Sequence, residues 1–106
     1  MTTPALPTVF AALADDTRWS ILVRLGRTPA SASALAAELP VSRQAIAKHL
    51  AVLQETGLVT AQKAGREVRF AAVGERLNTI ARDLEQIASG WDRRLAQLKA
   101  RAEAND

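Results

Sequence analysis

Val41-Ser42-Arg43-Gln44-Ala45-Ile46-Ala47-Lys48-His49-Leu50-Ala51-Val52-Leu53-Gln54-Glu55-Thr56-Gly57 reads as one capped amphipathic helix with a start and a stop. Ser42 is a good N-cap, because its hydroxyl can accept an orphan N–H of the first turn, and Gly57 stands where a helix ends in a left-handed residue. At about 100° per residue, Ile46, Leu50 and Leu53 share one narrow stripe, while Gln44, Lys48, Ala51 and Glu55 lie opposite. The first stripe is core. The other face offers Arg43 and Gln44 in the first turn, then small Ala45 and Ala47, then Lys48. A helix that enters a major groove needs long donors near its N-terminus and small residues beside them, so that the backbone can come close. An ordinary solvated helix with scattered charges is the alternative, and the flanking segments decide between them.

The flanks are charge-neutral. The chain has 106 residues and a net charge of +3, with a sequence pI near 10.2. Residues 1–41 balance Arg18, Arg24 and Arg27 against Asp15, Asp16 and Glu38, and residues 74–106 are balanced too. The excess lies in 42–73, where Arg43, Lys48, Lys63, Arg66 and Arg69 outnumber Glu55 and Glu67. A basic segment between neutral ones is the footprint of a polyanion-binding face. With no cysteine in the chain, disulfides, thiolate metal sites and thiol redox sensing are excluded, and the cytosol is the expected compartment. No run approaches the roughly 20 apolar residues of a membrane span, and Met1-Thr2-Thr3-Pro4 lacks the basic start of a signal peptide. The length predicts one domain, mainly α with a small β-hairpin.

Leu6, Val9, Phe10 and Leu13 recur at helical spacing and predict a first helix that ends near Ala14. Asp15 or Asp16 caps a second, with Ile21, Leu22 and Leu25 inward and Gly26 at its end. Trp19 lies off that stripe, either over the core edge or exposed. Thr28 to Ser33 is a loop or a short strand, followed by a third helix around Ala34 to Leu39 with Leu35 and Leu39 buried. Pro40-Val41 leaves room only for a tight turn, so residues 33–57 form a helix-turn-helix. From Leu58 the period becomes 2: Leu58–Lys63 and Val68–Val73 read as antiparallel strands around Ala64-Gly65-Arg66-Glu67. This basic hairpin at 58–73 is a wing, with Lys63, Arg66 and Arg69 as candidate contacts to sugar-phosphate or the minor groove.

Gly74 introduces a last amphipathic stretch at 75–104, about 45 Å long if wholly helical. Leu77, Leu84, Trp91 and Leu98 recur every seven residues, with Ile80, Ile87 and Leu95 on the same side. Such a stripe either packs back on its own core or faces a partner. Because it outlasts the surface of a domain this size, the preferred reading is a homodimer interface shared with the helix at 1–14 through Leu6, Val9, Phe10 and Leu13. Gly90 is a candidate kink.

Several motifs in this order resemble the ArsR-type winged helix-turn-helix regulators of bacteria. They are Leu13-Ala14-Asp15-Asp16-Thr17-Arg18 with Ile21-Leu22; Leu35-Ala36 with Val41 to Leu50 and Leu53; and Gly57-Leu58-Val59 followed by Gly65-Arg66-Glu67-Val68-Arg69-Phe70. Trp91-Asp92-Arg93-Arg94-Leu95 looks like the tail of a non-metal branch of that family. The resemblance covers nearly all of residues 6–100. It implies a dimeric transcriptional regulator, usually a repressor, on an imperfect inverted repeat in promoter DNA that commonly includes its own. Many members release DNA on binding metal, through a Cys pair on the helix matching Leu35–Leu39 or through Asp and His on the terminal helix. Neither set is present here, and the one histidine, His49, lies beside the core stripe of the DNA helix, where a structural role is expected.

On this reading each subunit places Ser42, Arg43, Gln44 and Lys48 in successive major grooves about 34 Å apart. Arg43 suits guanine and Gln44 adenine, Ala45 or Ala47 can touch a thymine methyl, and Lys48, Lys63 and Arg66 add affinity more than specificity. No cofactor is expected. Two other classes compete: a sensor holding a small effector at the dimer interface, and a winged helix used only for protein contacts. An enzyme is not expected, since no Gly-rich phosphate loop or acid-base cluster is present.

Overall fold

The computed structural model describes residues 4–104, and its elements run in the order α1 Leu6–Leu13, α2 Asp16–Leu25, β1 Ala30–Ser31, α3 Ala32–Glu38, α4 Arg43–Glu55, β2 Val59–Ala64, β3 Glu67–Ala72 and α5 Gly74–Ala104. Internal contacts divide the chain between Arg76 and Leu77 into two units. The fold is mainly helical, a winged helix-turn-helix.

In the first unit each helix start has a local cause. Asp15 caps α2, its carboxylate accepting the Arg18 N–H, and Ser31 caps α3 by accepting the Ala34 N–H at 3.1 Å. That second cap starts α3 two residues before the expected Ala34, and Leu39 falls outside it in extended conformation. The reason is Pro40, whose ring disfavours helical geometry in the residue before it. Val41 N–H then donates to Leu39 O at 2.8 Å, a γ-type turn around Pro40 that joins α3 to α4.

α4 ends as its sequence dictates. Gly57 has φ +77°, its N–H donates to Gln54 O at 3.0 Å, and the Leu58 N–H reaches Leu53 O at 3.0 Å. These two bonds make a Schellman cap, closed by apolar Leu53 and Leu58, both fully buried. Thr56, a buried polar residue, donates its hydroxyl to the carbonyls of Val52 and Leu53.

The core of this unit is Val9, Ile21, Leu22, Leu25, Leu35, Ile46, Leu50, Leu53, Leu58 and Val59, so the expected stripes of α2 and α4 do face inward. Leu39, expected buried, is half-buried. Trp19 is 54% exposed, which decides between the two positions open to it.

The hairpin is tighter than expected. Ala64 pairs with Glu67, leaving only Gly65 and Arg66 as the loop, and Gly65 has φ +65° while Arg66 does not have positive φ. Glycine at the first position of a two-residue loop is the type II′ arrangement, whose twist matches the flanking strands. The segment left open as loop or strand is a strand: Ala30 and Ser31 pair with Phe70 and Arg69, giving a three-stranded antiparallel sheet of order β1-β3-β2.

The second unit is helical from Leu77, and α5 runs unbroken through Gly90. Its 31 residues span about 46 Å. Leu84, Ile87, Trp91, Leu95 and Leu98 are all exposed, Trp91 by 57%. Two residues expected at a dimer interface are corrected here: Val9 is 0% and Ile80 6% exposed, so both are buried and offer little surface to a partner. Leu6, Leu13 and Leu77 are half-buried, and Phe10 is exposed. Met1 to Thr3, the start of the expected 1–14 segment, lie outside the described residues.

Candidate nucleic-acid interface

The helix that reads DNA has to be presented with its first turn free, and α4 is held from behind. Its inward residues Ile46, Leu50 and Leu53 pack against α2, α3 and β2. Ser42 caps the front, its hydroxyl accepting the Ala45 N–H at 3.2 Å. Ser42, Arg43, Gln44, Ala47 and Lys48 are exposed, whereas Ala45 is half-buried against the domain. Of the two alanines named for a thymine methyl, Ala47 is therefore the more accessible. Neither Arg43 nor Lys48 has an ion-pair partner among the described residues.

α3 is fixed beside it by a forked ion pair. Arg24 on α2 donates through Nε to Glu38 Oε2 at 2.6 Å and through Nη2 to Oε1 at 3.2 Å. This bond from Arg24 holds the Glu38 carboxyl below its ordinary value, and the carboxylate in turn raises Arg24. Arg24 also donates to Thr28 O at 2.9 Å, so one guanidinium ties the end of α2, the following loop and the end of α3.

The wing divides its charges by strand register. Lys63 is paired with Val68 and lies two residues along from Ala61, which is paired with Phe70, so Lys63 shares the face of Val68 and Phe70. Arg69 lies on the other face, opposite Gln62. Its Nε is 3.7 Å from a Glu67 carboxylate oxygen, with both side chains well exposed, so part of its charge is compensated on the spot. Arg66 stands at the turn itself.

Between wing and helices lies an open groove of about 400 Å3, lined by Ser31, Ser33, Arg43, Arg66, Glu67 and Phe70 among others. It brings Arg43 from the first turn of α4 and Arg66 from the hairpin turn onto one surface, although they are far apart in sequence. Ser31 and Ser33 also line it and were not singled out from the sequence. The available signal was Ser31 as a cap three residues before Ala34, which marks a hydroxyl-rich helix start. Among the described residues no group of three or more His, Cys, Asp or Glu is placed to hold a metal ion, and no helix is long and apolar enough to cross a membrane.

Comparison with known proteins bears on the family and the fold. The helix-turn-helix domain family matches residues 13–62, from the end of α1 through the first half of the wing. The Mycobacterium tuberculosis HTH-type transcriptional regulator Rv2034 is 38% identical over 84 residues, covering 79% of this chain and 76% of the relative. An ArsR-like transcriptional regulator from Rhodococcus sp. RHA1 is 62% identical, with a TM-score of 0.82 and 89% of each chain covered. The cadmium metal-sensor CMTR from Mycobacterium tuberculosis is 43% identical over 64% of this chain and 70% of its own, with a TM-score of 0.58.

Proposed function

The chain belongs to the ArsR family of helix-turn-helix transcriptional regulators and is a DNA-binding regulator rather than an enzyme, and from that premise we propose that it acts in the cytoplasm as a homodimeric repressor on a promoter inverted repeat, its own promoter included. The observation that carries this reading is the shared surface of α4 and the wing. Arg43 and Arg66, both without an ion-pair partner among the described residues, line one groove, and exposed Gln44 and Lys48 continue it along α4. In each subunit Arg43 and Gln44 read base edges while Lys48, Lys63 and Arg66 contact phosphate. The exposed stripe Leu84, Ile87, Trp91, Leu95 and Leu98, together with Phe10, supplies the dimer contact. An apolar helix face of that length is unstable in water without a partner.

The signal that releases DNA does not pass through a thiolate metal site, because this chain has no cysteine, whatever its metal-sensing relative does. A small effector held between the two subunits is the second reading. The unpartnered Trp91 favours it, being an aromatic surface on which an organic ligand can stack.

The test is binding to a duplex from the chain's own upstream promoter against a random duplex of equal length, across a salt series. Preference for the promoter, with two protected half-sites, supports an autoregulator. Equal salt-sensitive binding to both moves the operators elsewhere, and absence of binding to either would reject the DNA-reading role.

A further inference from the structure

Arg18 makes a set of contacts that DNA reading, as described above, does not use. Its Nε donates to the Ala12 carbonyl of α1 at 2.6 Å, and its Nη1 lies 3.4 Å from His49 Nδ1 on α4. Its own backbone N–H donates to the Asp15 cap at 3.0 Å. One guanidinium on α2 thus touches the last turn of α1 and the middle of the recognition helix, all within the first unit.

The chemistry of the second contact is one-sided. Guanidinium has five donors and no acceptor, so the pair is a hydrogen bond only if Nδ1 presents its lone pair. His49 is then the neutral tautomer with its proton on Nε2, set by Arg18. We propose that Arg18 and His49 form a strut that fixes the recognition helix against the end of α1, making both positioning residues for DNA binding. The proposal rests on α4 being the DNA-reading helix. Arg18 is otherwise an odd choice on a half-buried surface, where an aliphatic side chain would fill the space without desolvating a charge.

Two measurements test this, one without DNA. Imidazole 15N shifts at pH 8 should show His49 protonated on Nε2 alone, and Arg18→Ala should let the tautomers mix; a ring protonated on Nδ1 overturns the proposal. Promoter-duplex affinity should fall about tenfold in Arg18→Ala and in His49→Leu, with the double variant no worse than either single one. Asn at position 49 offers Oδ1 near the place of Nδ1, so His49→Asn should keep the acceptor and stay close to wild type. Additive losses, or a loss in His49→Asn as large as in His49→Leu, overturn the strut. If wild type binds neither promoter nor random duplex, the DNA-reading role fails by itself. The strut is then decided by the tautomer and by hydrogen exchange of the α4 amides, which should quicken in both single variants; unchanged exchange rejects it.

Discussion

At Arg43 and Arg66 the same guanidinium serves two purposes that mutation can separate. Arg43 emerges from the first turn of a capped helix, where a fixed fork can meet a guanine edge, and Arg43→Ala should cost roughly 1–3 kcal/mol on promoter DNA and much less on random DNA. Equal losses on both, in a fluorescence titration, would reject base reading. Arg66 sits on a two-residue turn and is proposed to meet phosphate, so Arg66→Ala should lower the slope of log affinity against log salt by about 0.9 per subunit contact. An unchanged slope would remove it from the interface. Most of these side chains were legible in the sequence, because long donors, small neighbours and a cap are local features. Between Ala45 and Ala47 the sequence left the choice open, because Ala45 borders the apolar stripe and how far it is covered depends on what lies behind. The Glu67 beside Arg69 follows from alternation along the strand, but Ser33 in the groove does not. It needs α3 folded beside the hairpin.

The same glycine-to-alanine change should have opposite signs in two helices. Gly57 closes α4 at φ +77° with nothing within 4 Å of an added Cβ, so Gly57→Ala should destabilise by about 1–2 kcal/mol through backbone strain alone. Gly90 lies inside α5, where an added Cβ would meet only Arg93 Nη2 at 3.9 Å, and Gly90→Ala should stabilise by roughly 0.5–1 kcal/mol. Urea unfolding measures both, and a stabilising Gly57→Ala would contradict the cap. The tie between α2 and α3 should respond to acid. Glu38 has its carboxyl pKa lowered from 4.5 by Arg24, so its stabilising contribution is fully present above that ordinary value and fades as pH falls through the lowered one. Wild type should therefore melt above Glu38→Gln at pH 7, with the gap closing in strong acid; a constant gap would show that the pair's charge is irrelevant. Helix ends and the hairpin were readable to within a residue or two, since caps, Pro40 and Gly65 act over a few bonds. Strand β1 was not, because Ala30-Ser31 carries no pattern of its own and becomes a strand only when β3 offers its free edge.

For the whole molecule the question is what covers the apolar face of α5. Trp91 is exposed in a single chain, so Trp91→Glu should leave the fold of one chain intact while placing a charge in the dimer contact. Sedimentation should then show a monomer, and promoter affinity should fall because two half-sites are no longer bound as one event. A wild-type monomer, or a dimeric variant, would refute this interface. The sequence by itself determined which segments are helical, where the basic surface lies and which residues of α4 point outward. Those are questions of period, capping and charge order, which short-range physics decides. Only the tertiary structure decided that Val9 and Ile80 are buried, that Arg43 and Arg66 line one groove, and that Arg18 reaches both Ala12 and His49. A hydrophobic stripe says that a face is to be covered but not by what, and contacts between residues distant in the chain exist only once the elements have packed.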